Sequence, residues 1–139
     1  MLSTDIVELY DIRKMLEALA ARLACQFATD NQIAEMANTC RQYKNAISKG
    51  DKKLCLEVDL KFHELLLEAG ANSRLKEIMK VFHLQLFGIT QLGPDYLNNA
   101  KDYLNDHLSI IAAISKHDEN LAEKVTRKHI QHGKELILS

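Results

Sequence analysis

Val58-Asp59-Leu60-Lys61-Phe62-His63, inside the run of residues 54–69, decides how the rest of the chain reads. The run reads as a helix, and a carboxylate and an imidazole stand four residues apart on it. That spacing puts Asp59 and His63 on one helical face. Leu56, Asp59, His63, Leu66, Leu67 and Gly70 follow the three-and-four rhythm of a core-facing stripe. Two polar groups therefore point where apolar residues belong. An ionised carboxylate there costs several kcal/mol unless a cation or hydrogen-bond donors answer it.

Working outward, Asp51 caps this third helix and Gly70 ends it. Before it, Thr29 and Gln32 form a capping box for a helix over residues 31–48, closed by Lys49-Gly50. Its buried face is Ile33, Met36, Ala37, Cys40, Tyr43 and Ile47. The first helix opens at Ser3-Thr4-Asp5, with Glu8 completing a box-like arrangement with Asp5. Ile6, Leu9, Arg13, Leu16, Ala20, Ala24 and Phe27 trace one of its faces, which Arg13 interrupts. Arg13 has two readings: an i,i+4 ion pair with Glu17, or a guanidinium aimed into a cavity to grip a carboxylate.

After Gly70, Asn72 or Ser73 starts a fourth helix over residues 74–91, with Leu75, Ile78, Met79, Phe82, Leu86 and Ile89 on its face. Gly93-Pro94 is the clearest break in the chain. A fifth helix covers residues 95–116, its stripe Leu97, Ala100, Leu104, His107, Ile111 and Ile114. A sixth runs from Glu119 behind an Asp118 cap, with Ala122, Val125, His129, Gly133 and Leu136 inward. No strand-like alternation persists. The expected fold is all-α: a single antiparallel bundle of six helices in one domain over residues 1–139.

Composition agrees. The chain has 139 residues, 47% hydrophobic, with one Pro and five Gly, which favours a few long helices over many turns. Eighteen basic residues against nineteen acidic give a net charge of −1, so no domain-wide positive field exists to hold a nucleic-acid backbone. With no long apolar span and no signal-peptide pattern, the chain reads as soluble and cytoplasmic, without a membrane partner. Cys25, Cys40 and Cys55 form no Cys-x-x-Cys and read as free, buried thiols.

Three helices thus each place a metal-capable group inward: Asp59 with His63, then His107, then His129. Each histidine could instead be a satisfied core residue with a partner of its own, and periodicity leaves both readings open. One divalent cation would answer all four at once. A His3Asp set suits Zn²⁺ first, and also Ni²⁺, Mn²⁺ or Fe²⁺, with positions left for a ligand. His132 is an alternative to His129 at the edge of the stripe. His83, beside Phe82, lines the same cavity from the fourth helix, and His117 falls at a solvated junction.

The segment Leu9-Tyr10-Asp11-Ile12-Arg13-Lys14-Met15-Leu16-Glu17, with the Ala-rich stretch after it, resembles the first helix of the FCD domain. That is the C-terminal effector-sensing domain of the FadR subfamily of GntR transcription regulators. Asp59-x-x-Phe62-His63 is similar to the family's D-x-x-F-H motif, followed by Gly70-Ala71-Asn72-x-x-Leu75. Asp106-His107-x-x-Ile110, Ala113-Ile114, Ala122 and Lys128-His129-Ile130 resemble its closing two helices. The likeness covers nearly the whole chain. It implies six or seven helices around a central cavity, a divalent cation on Asp59, His63, His107 and His129, and a small organic acid bound by the cation and Arg13.

The same resemblance implies a homodimer, and DNA binding through an N-terminal winged-helix domain. No such domain precedes Leu2, so this chain by itself is not expected to bind DNA. The fourth helix has only Arg74, near its start, where many relatives carry further anion-binding residues.

The leading expectation is a sensor in which His83 and Arg13 help bind the acid, with Glu17 and His132 supporting the site. A metalloenzyme is the first rival. It lacks His-Glu-x-x-His, and no Glu stands three residues before any histidine, as a di-iron bundle needs. The second rival is a metal-free dimerisation bundle.

Overall fold

The computed structural model describes residues 3–92 and 95–138, without the side chains of residues 87–92. Six helices run in order: α1 Ser3–Phe27, α2 Asp30–Ser48, α3 Lys52–Ala69, α4 Ser73–Leu92, α5 Tyr96–Ser115 and α6 Glu119–Leu138. No strand occurs among the described residues, and no helix is long and apolar enough to cross a membrane. The Gly93-Pro94 break lies outside the described residues, as does the side chain of Ile89.

Side chains start four of the helices as expected. Thr29 and Gln32 form the complete capping box of α2. Asp51, Asn72 and Asp118 each accept the backbone N–H three residues on, from Leu54, Leu75 and Leu121. Asp5 instead lies within the first turn of α1, where its charge suits the helix dipole, rather than before it. Phe27 and Ile78, expected inward, are about half exposed. The buried face of α1 is turned toward Tyr10, Glu17, Ala18, Ala21 and Cys25, so Phe27 at its last turn clears the core.

Helix α1 is central and packs on α3, α4, α5 and α6. Its Ala18, Ala20, Ala21 and Ala24 are buried, and small side chains let neighbouring backbones come close. Gly70 marks a close approach: a Cβ there would stand 3.1 Å from the Ala20 carbonyl oxygen. Gly70 itself keeps a helical φ of −72°, and Ala71 takes the left-handed turn at φ 54°. Glycine is thus favoured at position 70 by the α1–α3 contact, where a Cβ would push the Ala20 backbone away by a few tenths of an ångström, and not by its own conformation. One turn along α1, the same contact sets Glu17 against His63.

The main core joins α1 Ala20, Ala21 and Ala24 to Met36, Phe62, Leu66, Met79, Ile110 and Ile114. Two smaller clusters, one around Tyr43, Leu56, Tyr96 and Tyr103 and one of Tyr10, Leu86 and Ile130, fill the other half of the bundle. Cys25, Cys40 and Cys55 are buried free thiols, and burial pushes Cys40 and Cys55 up to about 11. They are packing residues rather than nucleophiles at neutral pH.

Candidate functional site

Between these clusters lies a cavity of about 80 Å³, lined among others by Arg13, Asp59, His63, His83, Tyr96 and His129. One ring nitrogen each from His63, His107 and His129 lies within 4.8 Å of the others, and all three residues are buried. Asp59 Oδ1 joins them, 3.3 Å from His63 Nε2 and 3.4 Å from His107 Nε2. His129 Nε2 stands 3.4 Å from His63 Nε2. Three helices therefore bring the three imidazoles together, with Asp59 beside two of them.

The outer nitrogens of two of these rings are held. Glu17 Oε1 accepts from His63 Nδ1 at 2.6 Å, and Asp106 Oδ2 accepts from His129 Nδ1 at 2.9 Å. An ionised carboxylate can only accept, so each Nδ1 carries the proton and each Nε2 faces the cluster. The third ring, His107, is fixed by stacking: Phe62 lies 3.9 Å away with 9° between the planes. His107 Nε2 is buried and has no hydrogen-bond partner among the described residues. Its polar neighbour is Asp59 Oδ1 at 3.4 Å, a contact too long to satisfy it well.

The charges follow from the same geometry. Burial opposes charge on Glu17, but Arg13 and His63 outweigh it and hold the carboxyl well below its usual range. Burial likewise opposes charge on Asp59, and His107 and His63 overcome it. His63 shows the same balance in reverse: burial works against its proton, yet Glu17 and Asp59 raise it to about 9. Burial dominates at His107, which falls to about 4 despite Asp59, and it lowers His129 as well. The surroundings thus favour charge on His63, between two carboxylates, and oppose it on His107 and His129.

Both readings of Arg13 meet in the structure. Its Nε donates to Glu17 Oε2, as the i,i+4 spacing allows, and the side chain also lines the cavity. His83 lines the cavity from α4, its buried Nε2 unpartnered among the described residues and 3.8 Å from Glu17 Oε1. Glu17 is fully buried and links Arg13 to His63, a supporting position. His132 is not one of the three clustered imidazoles: it is one-third exposed, its Nδ1 3.6 Å from Asp106 Oδ2, the oxygen that also accepts from His129. His117 is exposed, with Nδ1 on the Cys25 carbonyl.

Asp106, Tyr96 and Tyr43 are the residues that the candidate set lacked. Tyr96 donates to Asp59 Oδ2 at 2.9 Å, and Tyr43 Oη lies 2.8 Å from Tyr96 Oη. Tyr96 and Tyr103 follow the same four-three-four spacing as Ala100 and His107, so the period of α5 carried that signal. Periodicity gave none for Asp106, since a residue next to His107 points elsewhere on an isolated helix, and it stood only within the Asp106-His107-x-x-Ile110 likeness.

Residues 8–132 match the FCD domain. Among curated relatives, the chain is 23% identical over 126 residues to the HTH-type transcriptional repressor RspR of Escherichia coli (strain K12), covering 91% of this chain and 55% of that protein. It is 25% identical over 131 residues to the HTH-type transcriptional repressor NanR of Enterobacter sp. (strain 638), covering 90% and 48%. The chain thus spans about half the length of these relatives. Among solved structures, Streptococcus agalactiae GntR superposes with a TM-score of 0.82 at 24% identity, covering 97% of this chain and 61% of that one. E. coli McbR/YncC gives 0.79 at 17% identity, covering 94% and 66%. These two likenesses establish the fold.

Proposed function

The chain belongs to the FCD domain family, and on that premise we propose that it is the effector-sensing, dimerising part of a GntR-type transcription regulator. In this reading Asp59, His63, His107 and His129 hold one divalent cation, Zn²⁺ first and Ni²⁺, Mn²⁺ or Fe²⁺ as alternatives. The single observation that carries it is the buried, unpartnered His107 Nε2 facing Asp59 Oδ1, with the other two imidazoles beside it. Two donors about 2.1 Å from one cation stand roughly 3.0–3.4 Å apart for octahedral to tetrahedral angles. Three of the six separations are 3.3, 3.4 and 3.4 Å, and the three ring nitrogens all lie within 4.8 Å of one another.

A bound cation supplies positive charge to an oxygen of the effector. The chain's own residues do the rest. Arg13 offers a guanidinium and His83 a buried ring nitrogen to a small organic acid, and about 80 Å³ suits a short molecule rather than a long chain. Glu17 and Asp106 keep the Nε2 atoms of His63 and His129 directed at the site.

The relatives' names support regulation rather than catalysis. An effector that binds two arrangements of the domain unequally would shift operator binding by a winged-helix domain. About one divalent ion per chain by plasma mass spectrometry, and calorimetric binding of two- to six-carbon hydroxy or dicarboxylic acids to the loaded protein, are the expected results. No ion after reconstitution with Zn²⁺, Ni²⁺ and Mn²⁺ would sink the metal reading.

The dimer is part of the same proposal. Ile12, Met15 and Leu19 on α1 and Ile78, Val81 and Leu84 on α4, two helices packed together, are exposed apolar side chains at helical spacing. A second copy of this chain would cover them. Met15→Glu with Leu84→Glu is expected to turn a dimer into a folded monomer in sedimentation equilibrium. An unchanged mass would move the interface elsewhere.

A further inference from the structure

The two oxygens of Asp59 face different partners. Oδ1 stands 3.3 and 3.4 Å from the Nε2 atoms of His63 and His107, while Oδ2 accepts the Tyr96 hydroxyl at 2.9 Å. Tyr96 has one proton, and it goes to Asp59. The 2.8 Å contact between the two phenols therefore has Tyr43 as donor and Tyr96 as acceptor. The result is a directed chain, Tyr43 to Tyr96 to Asp59, running from α2 through α5 to α3.

Both rings are fixed independently of this chain. Tyr43 and Tyr96 are buried in the same cluster, Tyr43 stacks against His107 at 5.8 Å, and Tyr96 lies 5.7 Å from Tyr103. The hydroxyl of Tyr96 is thus held in place before any cation arrives.

We propose that Tyr96 is a positioning residue that restricts Asp59 to one donor oxygen, Oδ1, with Tyr43 fixing the direction of the Tyr96 hydroxyl. The proposal rests on the metal reading of the cluster. A carboxylate can bind a cation through one oxygen or two. With Oδ2 occupied by a phenol, Asp59 takes one coordination position, and a further position stays open for the effector. Without the phenol, Asp59 is free to close over the cation with both oxygens.

Cobalt(II) is the probe, because its visible absorption weakens as coordination number rises. Tyr96→Phe keeps the ring and removes the hydroxyl. It is expected to lower Co²⁺ affinity by roughly 10–100-fold, as loss of a supporting partner does. The visible band of the saturated protein should weaken at the same time. Tyr43→Phe should show the same changes in smaller measure, and adding it to Tyr96→Phe should do nothing more, since it acts only through Tyr96.

A merely structural hydroxyl would lower thermal stability and leave the spectrum at saturation unchanged. An unaltered spectrum and affinity in folded Tyr96→Phe overturns the proposal while wild-type binding leaves the metal reading standing. Additive effects of the two substitutions overturn the part assigned to Tyr43. Failure of the wild-type protein to take up Co²⁺ or Zn²⁺ removes both the cation site and the role given to Tyr96.

Discussion

His107→Ala is expected to abolish stoichiometric metal binding. Loss of an outer partner of a metal ligand costs roughly 10–100-fold in affinity, and loss of a ligand itself should exceed that. His107 is the sharpest choice among the four donors because its ring has least reason to be where it is without a cation. It is 1% exposed, its Nε2 has no hydrogen-bond partner among the described residues, and burial keeps it neutral. A core histidine retained for packing would be expected to satisfy that nitrogen.

Stability gives a second readout. A ligand at 1,000 times its dissociation constant stabilises the fold by about 4 kcal/mol. Chelation should therefore lower the melting temperature of the wild-type protein and leave that of His107→Ala unchanged. If chelation moves neither, the bundle is a metal-free dimerisation unit and the histidines are core residues.

The helices and the inward faces carrying Asp59, His63, His107 and His129 were legible in the sequence because each depends on one element at a time. Asp59 and His63 share a face by spacing alone, and His107 and His129 fall in apolar stripes on their own helices. What was not legible depends on how helices meet. Asp106 turns toward His129 only because α5 packs against α6. Glu17 reads from sequence as the i+4 partner of Arg13, and that it also grips His63 follows from the Gly70–Ala20 approach. Tyr96 lay on a visible period, but the stripe through Leu97 and Leu104 looked equally sound, because large apolar residues flank Ala100 at both spacings. Those leucines are only partly buried beside the Tyr43–Tyr96 cluster.

Arg13→Ala should destabilise the protein by at most about 3–5 kcal/mol, the cost of removing one partner from a buried ion pair, since Glu17 keeps His63 as a second partner. Glu17 is fully buried, and Arg13 is the leading influence that keeps its carboxylate charged against burial. The same substitution is the obvious test of acid binding, so a loss of affinity in it has two explanations. Replacing both residues separates them. Arg13→Met with Glu17→Met removes both charges of that pair, a replacement that is often neutral or stabilising, at the cost here of the acceptor on His63 Nδ1.

Glu17 also orients His63, so the double variant should bind the cation more weakly, and acid binding has to be measured at saturating metal. Under that condition the two readings of Arg13 diverge. A guanidinium that grips the effector's carboxylate contributes a charge-assisted bond of about 1.5–3 kcal/mol, so affinity should fall roughly 10- to 150-fold. A guanidinium that serves only Glu17 leaves acid affinity within about twofold of wild type, since its partner is gone as well. Calorimetry on the folded, metal-loaded double variant decides between them, and an undiminished affinity would assign the acid's recognition to His83 and the cation alone.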